Sequence, residues 1–313
     1  NNRGKGLLEN IFLFINYYFI FKKIKPEYFL PFTIKPNIFG SIIANFLGIK
    51  TINNITGLGN IFIEGGLLKK IIILLYKFAL NKTLITFFQN IDDQKLFQKY
   101  KIITKKNSIV IPGSGIDLDQ YNYNKLKNNS EYFNFIYFGR LITDKGILIL
   151  FDVINMCKTN KKIKFTMIGS LDQNDKNFKK INEFIYKNKN DNLNYIAFTD
   201  DIKKEILKAD CVLLPSYREG LPRSLIEASA LGIPIIASNV PGCNNLIKDQ
   251  YNGLIFSPLT SNSLYKKLID FTKLSYIERL KMTQNARDHV EKYYNEKLVI
   301  NKYKEYIDFK NYE

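Results

Sequence analysis

Two carboxylates in the stretch SYREGLPRSLIE, Glu219 and Glu227, have the types and spacing most suggestive of chemistry. The stretch follows an apolar run that predicts a strand, and Pro222 suits the first turn of a helix. Gly220 allows a ligand to approach the backbone, and the free N–H groups of a helix N-terminus favour negative or polar groups. Carboxylate oxygens accept hydrogen bonds from the vicinal hydroxyls of a sugar or ribose. On spacing alone, two ordinary helix-associated glutamates remain the simpler interpretation.

Two cations, Arg140 and Lys145, occur in the stretch FGRLITDKG after another apolar run. We expect them on a loop above that strand, beside the N-terminus of the following helix. Guanidinium offers a planar fork and ammonium a point charge, a combination that suits a diphosphate. The chain contains 46 lysines and arginines, so two ordinary surface cations are the alternative.

Short apolar runs alternate with amphipathic segments along the chain. Strands are predicted at Tyr28–Ile34, Lys50–Ile55, Thr83–Gln89, Ser108–Ile111, Phe133–Phe138, Ile163–Ile168, Leu193–Ala197, Cys211–Leu214, Ile233–Ala237 and Gly253–Phe256. Helices are predicted at Asn37–Leu47, at Leu67–Leu80, and from about Ser261 to Tyr306. This alternation predicts an α/β protein with parallel sheets. The polar stretch Tyr121–Glu131 divides the pattern into two series, which predicts two doubly wound, Rossmann-like domains facing a cleft, over residues 1–125 and 126–313.

The beginning of the chain departs from this pattern. A doubly wound domain normally starts with a buried strand and a Gly-rich turn, whereas the sequence starts with NNRGKG and a helix. We therefore expect the N-terminal domain to be truncated, and an inactive remnant of an enzyme is one alternative.

Taken together, the motifs resemble family 4 of the retaining glycosyltransferases, which have the GT-B fold. The resemblance rests on Gly139-Arg140 with Lys145-Gly146, on Glu219-Gly220-Leu221-Pro222, on the Glu-x7-Glu pair ending at Glu227, and on Ala228–Pro234, Ser238–Gly242 and Asn252–Leu254. It implies an enzyme without a metal or other cofactor that moves a hexose or N-acetylhexosamine from a nucleotide donor, most simply a UDP-sugar.

The resemblance also implies roles for single residues. Glu219 would be the catalytic residue and would bind donor-sugar hydroxyls together with Gly220 and Leu221, while Glu227 would bind the ribose. The diphosphate would be held by Gly139, Arg140 and Lys145, and the residues beside the base would be Thr199, Asp201 and Ile202.

Two upstream segments, TIKPNIFG (33–40) and TGLG (56–59), resemble the subgroup that extends lipid-diphosphate-linked sugars, including bacillosaminyl-diphospho-undecaprenol N-acetylgalactosaminyltransferases. The resemblance implies a polyprenyl-diphosphate-linked glycan acceptor in surface polysaccharide or glycoprotein glycan synthesis. The acceptor-side residues would be Thr33, Lys35, Asn37, Thr56 and Gly57. Many members carry a histidine where this chain reads Thr33-Ile34-Lys35. In the front-face mechanism usually proposed for the family, the departing diphosphate accepts the proton, so the missing histidine matters less than it would in an inverting enzyme.

Other chemistries have weaker support. One His and three scattered Cys provide neither a zinc pattern nor a disulfide framework. Asp117-Leu-Asp119 has the form of a metal-binding D-x-D, but hard cations need more oxygen ligands than this turn offers. His289 is expected to have a packing or surface role.

The net charge of +17 and the pI near 9.5 favour phosphate-rich partners, although codon bias would also enrich lysine. Leu67–Lys82 is either a basic amphipathic helix on anionic lipid or a buried helix with lysines at its ends, and Leu7–Lys25 is a second candidate. We predict a cytoplasmic protein, peripheral on the inner membrane face, with a nucleotide sugar, a lipid-linked glycan and an anionic membrane as partners and no nucleic acid. The competing class is a basic Rossmann-like protein that binds nucleotides or nucleic acid without catalysis.

Overall fold

The computed structural model describes residues 7–59, 62, 66–124, 131–188, 192–257 and 259–307. The opening NNRGKG and residues 125–130 of the predicted linker lie outside the described residues. The chain divides into two compact units, Asn1–Ser114 with Lys297–Glu313, and Gly115–Glu296. Each contains a parallel sheet with helices, which confirms the predicted α/β class with two sheets.

The first unit has four parallel strands in the order β1-β2-β3-β4. The strands are β1 (Tyr28–Phe29), β2 (Lys50–Ile55), β3 (Ile85–Phe88) and β4 (Ser108–Val110). The helices are α1 (Leu7–Ile24), a π-helical turn (Pro36–Gly40) that continues into α2 (Ser41–Phe46), α3 (Gly66–Ala79) and α4 (Ile91–Lys99). Buried side chains of β2 and β3 pack against those of α3 and α4, with Tyr76 and Phe97 among the largest.

The second unit has six parallel strands in the order β10-β9-β8-β5-β6-β7. The strands are β5 (Phe133–Phe138), β6 (Ile163–Ile168), β7 (Leu193–Ile196), β8 (Cys211–Leu214), β9 (Ile235–Ser238) and β10 (Leu254–Phe256). The helices are α5 (Ile147–Met156), α6 (Phe178–Asn188), α7 (Ile202–Ile206), α8 (Arg223–Leu231), α9 (Cys243–Leu246), α10 (Ser261–Lys273) and α11 (Tyr276–Tyr293), and a 3₁₀ turn covers Thr143–Lys145. Nearly continuous apolar strands such as CVLL are buried on both faces, as expected for a parallel sheet covered by helices.

The boundary between the units differs from the predicted one. Ile116 N donates a 2.8 Å hydrogen bond to Tyr294 O, and Ile116 O accepts one of 3.1 Å from Glu296 N. Because of these bonds, the second unit begins at Gly115, about ten residues before the predicted boundary between residues 125 and 126. The last helix, α12 (Glu296–Lys304), contributes Val299 to a buried cluster with Phe87 of the first unit.

Two prolines explain where strands are shorter or shifted. The predicted strand Tyr28–Ile34 is regular only over β1, because Pro31 has no N–H for the ladder, although its carbonyl accepts from Asn54 N at 3.0 Å. The strand predicted at Ile233–Ala237 is regular only from Ile235, after Pro234, whose carbonyl accepts from Val212 N at 2.8 Å. Proline can accept within a sheet but cannot donate.

Candidate functional site

The strand order of the second unit brings the two motif loops together. β5 lies between β6 and β8, so the chain order reverses there, and the crevice above such a switch point is where open parallel sheets bind ligands. The loop after β5 carries Arg140 and Lys145, and the loop after β8 carries Glu219 and Gly220. The fold therefore places the predicted phosphate-binding and sugar-binding residues at adjacent strand ends.

Lys145 and Glu219 form an ion pair in this crevice. Lys145 Nζ lies 2.6 Å from Glu219 Oε1, and their side chains are 25% and 9% exposed. Ser216 Oγ donates to the same carboxylate oxygen at 2.6 Å. Ser216 is fully buried, and its carbonyl accepts a 2.6 Å bond from Ser238 Oγ on β9. The Glu219 carboxylate is thus held by two donors, of which Ser216 is bonded to β9, and only a small part of its surface is exposed.

Gly242 positions the Glu219 loop. It has a positive φ of 85°, and a Cβ built on it would lie 2.6 Å from Gly220 O and 2.9 Å from Glu219 Cβ. Glu219 N donates to Pro241 O at 3.3 Å. A side chain at position 242 would therefore displace the Glu219–Gly220 backbone, and glycine is the residue that permits both the conformation and the close approach.

The Lys145 loop is fixed at both ends. Gly146 ends the 3₁₀ turn with a φ of 71°, and a Cβ there would lie 1.9 Å from Pro215 O. At the start of the turn, Thr143 N and Oγ1 donate to the Asp175 carboxylate at 2.9 and 2.6 Å. Burial opposes ionisation of Asp175, but the hydrogen bonds from Thr143 and from the Asn177 backbone lower its pKa below the usual value. The carboxylate therefore stays ionised at neutral pH and anchors the loop.

Arg140 is the second residue after β5 and is exposed. The buried hydroxyl of Tyr137 donates to the Arg140 carbonyl at 2.8 Å. Burial and the negative charge of Glu219 raise the pKa of Tyr137, while the positive charge of Arg140 opposes them. Gly139, with a φ of 145°, precedes Arg140 in this loop.

Glu227 forms a second cluster on α8. Arg223, one turn earlier on the helix, donates from Nε to Glu227 Oε1 at 2.8 Å, and Tyr121 OH donates to the same oxygen at 3.2 Å. Glu227 is buried, and Pro222 occupies the position just before the helix. Burial, and then the neighbouring Glu227 carboxylate, raise the pKa of Tyr121, so its hydroxyl remains a donor across the neutral range. Leu221, which precedes the helix, is partly buried against the core of the second unit.

The predicted base-adjacent residues lie near Tyr121. Asp201 caps α7 by accepting from Lys204 N at 3.0 Å, and Asp201 N donates to Thr199 Oγ1 at 3.3 Å. Lys203, next to Ile202 on α7, donates to Gln120 O at 3.3 Å and lies 5.6 Å from the centre of the Tyr121 ring. A cavity of about 550 Å³ opens beside this segment; its lining includes Asp201, Lys203, Lys204 and Asn122. Tyr121 therefore links the Asp201 segment to Glu227.

The predicted acceptor-side residues belong to the first unit. Thr33 is exposed in a left-handed backbone conformation, and Lys35, Thr56 and Gly57 are partly exposed. Asn37 differs from the rest because it is fully buried. Its amide donates to Thr33 O at 2.6 Å and to Asn54 O at 2.8 Å, and its Oδ1 accepts from Asn53 at 3.0 Å. The Asn37 side chain is thus occupied in holding the fold together.

Several contacts of the candidate site could not be predicted, or were not predicted, from the sequence. Ser216 and Arg223 lie inside the stretch SYREGLPRSLIE. The i, i+4 spacing of Arg223 and Glu227 on a helix could have predicted their ion pair. Tyr121 is 106 residues from Glu227, and Asp175 is 32 residues from Thr143, so no local pattern connects these pairs.

The weaker candidates have structural roles. Asp117 Oδ1 accepts from the backbone N–H groups of Asp119 and Gln120 at 2.9 and 3.1 Å, so it closes its own turn. His289 packs its ring 5.0 Å from that of Tyr293 and 5.5 Å from that of Tyr294. Among the described residues, no three His, Cys, Asp or Glu side chains are grouped so that they could hold a metal ion.

Solved structures share this fold. The structure of Anabaena HepE in complex with UDP and glucose superposes with a TM-score of 0.80 at 17% identity, over 97% of this chain and 83% of that one. The GT-B fold predicted from the motifs is thereby confirmed.

Sequence relatives are named as glycosyltransferases. The Escherichia coli UDP-Gal:alpha-D-GlcNAc-diphosphoundecaprenol alpha-1,3-galactosyltransferase is 26% identical over 98% of this chain and 81% of its own length. The Campylobacter jejuni N,N'-diacetylbacillosaminyl-diphospho-undecaprenol alpha-1,3-N-acetylgalactosaminyltransferase is 25% identical over 96% of this chain and 81% of its own length. An uncharacterized glycosyltransferase of Methanocaldococcus jannaschii is 27% identical over 62% of this chain, which spans 52% of that relative's length.

The family model described as glycosyl transferases group 1 matches residues 120–289, which is more than half of the 313 residues and includes every residue of the Lys145–Glu219 and Tyr121–Glu227 clusters. The chain therefore belongs to the group 1 glycosyl transferases, and it is a glycosyltransferase with the GT-B fold.

Proposed function

We propose that this glycosyltransferase moves a hexose or N-acetylhexosamine, with retention of anomeric configuration, from a UDP-sugar to a polyprenyl-diphosphate-linked glycan. The observation that carries the proposal is the Lys145–Glu219 ion pair at the switch point of the second sheet. It sets a cation suited to a diphosphate directly beside a carboxylate suited to sugar hydroxyls, which are the two parts of a nucleotide sugar that flank the bond to be broken.

In the proposed reaction, the bond between the donor anomeric carbon and the diphosphate oxygen breaks. The acceptor hydroxyl oxygen bonds to the same carbon from the same face, and its proton passes to the departing diphosphate. Lys145 and Arg140 stabilise the negative charge that develops on the leaving group, a form of electrostatic catalysis that needs preorganised donors. Glu219 fixes the sugar through its hydroxyls, and the Ser216 bond holds that carboxylate in place.

Glu227 is proposed to bind the ribose. Its Oε1 already receives bonds from Arg223 and Tyr121, so Oε2 is the oxygen that would accept from ribose hydroxyls. The Thr199–Ile202 segment precedes Lys203, whose ammonium lies 5.6 Å from the centre of the Tyr121 ring, which is consistent with a base held beside the ribose.

The acceptor assignment rests on the upstream motifs and on the names of the relatives. TIKPNIFG and TGLG resemble segments of enzymes that extend lipid-linked sugars, and the Escherichia coli and Campylobacter jejuni relatives are named for undecaprenyl-diphosphate-linked substrates. Such an acceptor implies work at the inner face of a membrane, in the assembly of a surface polysaccharide or a protein-linked glycan.

The test is a transfer assay with a panel of UDP-sugars and a short-chain prenyl-diphosphate-linked N-acetylhexosamine in detergent. We expect one UDP-hexose or UDP-N-acetylhexosamine to give a product whose new linkage keeps the donor configuration, as read by the anomeric proton coupling. Nucleic-acid binding without UDP-sugar binding would instead favour the non-catalytic alternative. An inverted linkage would leave the enzyme class intact but remove the retaining mechanism.

A further inference from the structure

The helix α3 has two apolar faces, of which one is exposed. Ile72, Tyr76 and Ala79 point into the core of the first unit. On the opposite side Leu67, Ile71, Leu74 and Phe78 follow one another at intervals of four, three and four residues, which places them in one stripe along the helix. These four side chains are 74%, 46%, 55% and 59% exposed. An ordered row of large apolar side chains in water marks an interaction surface.

The charged residues within α3 itself are all lysines. Lys70 and Lys77 are exposed and lie along one border of the stripe, since each is three residues from a member of it. Lys82 is exposed in the turn that follows the helix. From Gly65 to Ile91 the sequence contains no acidic residue. Lys69 is different because it turns inward, donating to Phe62 O at 2.9 Å and lying 5.4 Å from the centre of the Tyr100 ring.

We propose that this face of α3, defined as Leu67, Ile71, Leu74 and Phe78 with Lys70, Lys77 and Lys82, docks on an anionic lipid surface. Aliphatic side chains and Phe enter the region between headgroups and acyl chains, while lysines contact anionic headgroups. A protein partner fits less well, because protein interfaces favour Tyr, Trp and Arg and are depleted in Lys. The proposal deepens the proposed function and rests on it in part, since it names the surface that would bring the enzyme to a lipid-linked acceptor.

The helix would lie on the surface without crossing the bilayer. Its 14 residues are about 21 Å long, which is short of the roughly 30 Å of a hydrocarbon core. Across the described helices, length and apolar character together fall short of what a membrane crossing requires. The buried stripe, moreover, keeps one side of α3 attached to the first unit.

Vesicle co-sedimentation of the full chain tests the charge contribution. With vesicles of phosphatidylglycerol and phosphatidylcholine at low salt, we expect the wild type to pellet, and with phosphatidylcholine alone to pellet far less. The variant Lys70→Gln/Lys77→Gln/Lys82→Gln should partition roughly a hundredfold more weakly, the effect of three lysines near an anionic surface. The matched control removes three exposed lysines of the second unit, Lys161→Gln, Lys179→Gln and Lys180→Gln, and should partition within about threefold of the wild type.

The apolar contribution is tested with Leu74→Ser/Phe78→Ser. This variant should lose vesicle binding at high salt as well as at low salt, because the insertion of apolar side chains is not screened. Its control, Tyr186→Ser/Ile277→Ser, removes two exposed apolar side chains of the second unit and should bind vesicles normally. All substituted residues are exposed, and unchanged UDP affinity and melting temperature confirm that each variant is folded.

Transfer measurements separate this proposal from the proposed function. Both α3 variants should retain transfer to a detergent-dispersed acceptor and lose most transfer to the same acceptor in vesicles. Absence of transfer in detergent by the wild type would end the proposed function and leave docking intact. Failure of the wild type to bind anionic vesicles, or undiminished binding by both α3 variants, would overturn docking by this face.

Discussion

Lys145 Nζ and Glu219 Oε1 lie 2.6 Å apart although 74 residues separate them in the chain. Their contact joins the loop after β5 to the loop after β8, the two strands beside which the sheet order reverses. The Coulomb attraction within a partly buried pair is less screened by water than that within a surface pair, while burial adds a desolvation cost. Because the two residues are in contact, a substitution of either one alters the surroundings of the other. Their roles therefore have to be separated by measuring UDP binding and sugar transfer independently.

Substitution of Lys145 and of Glu219 should affect different steps. Lys145→Ala removes a donor to the diphosphate and should weaken UDP binding by about 1–3 kcal/mol, the range for a charge-assisted hydrogen bond, and Arg140→Ala should act in the same direction. Glu219→Gln should keep UDP affinity within about threefold and depress turnover, because its proposed partner is the sugar. Titration calorimetry with UDP and kcat measurements provide the test, with Lys179→Ala as the control. Equal loss of UDP affinity in all three site variants would refute this division of roles.

Tyr121 should support nucleotide binding through Glu227. Tyr121→Phe removes the hydroxyl that donates to Glu227 Oε1 and leaves Arg223 as the described side-chain donor to that oxygen. We expect UDP binding to weaken by about 0.5–1.5 kcal/mol, the usual net worth of one hydrogen bond. Because the pKa of Tyr121 is raised, the wild-type affinity should not change through this group between neutral pH and pH 9. Tyr186→Phe, an exposed tyrosine on α6, is the control and should have no effect.

The parts of this site that the sequence predicts are those that depend on local pattern. The bounds of β5, β6 and β8 follow from largely apolar runs whose ends carry polar residues or turns. The pairing of Tyr121 with Glu227 depends on the path of the chain between distant elements, which periodicity does not encode. The boundary between the units after Ser114 could not be predicted from local pattern either. It depends on the bonds of Ile116 with Tyr294 and Glu296, which lie almost two hundred residues later in the chain.

Gly242 should be required for the geometry of the Glu219 loop. Gly242→Ala adds a Cβ at 2.6 Å from Gly220 O in a backbone conformation with a φ of 85°. We expect a loss of about 1–3 kcal/mol in the free energy of unfolding and lower turnover, since the Glu219 backbone must move. Gly48→Ala is a matched control, because Gly48 has a φ of 75° and a Cβ there would meet nothing within 4 Å. The control reports the cost of the backbone conformation alone, and an equal effect of both variants on turnover would contradict the positioning role of Gly242.

Asn37 should act on stability and not directly on the acceptor. Asn37→Ala removes the side-chain amide that donates to the Thr33 and Asn54 carbonyls, and it leaves Asn53 without one of its two acceptors. The Thr33 carbonyl keeps the 3.3 Å bond from the backbone N–H of residue 37. Buried groups that lose a partner cost about 1–3 kcal/mol, so denaturant unfolding of the first unit should shift by that amount. UDP affinity should be unchanged, because the residues proposed to bind UDP all belong to the second unit. Asn155→Ala, at an exposed position on α5, should change the unfolding free energy by less than about 0.5 kcal/mol. If Asn37→Ala instead left stability unchanged and raised the KM for the acceptor, Asn37 would have the substrate contact that its burial argues against.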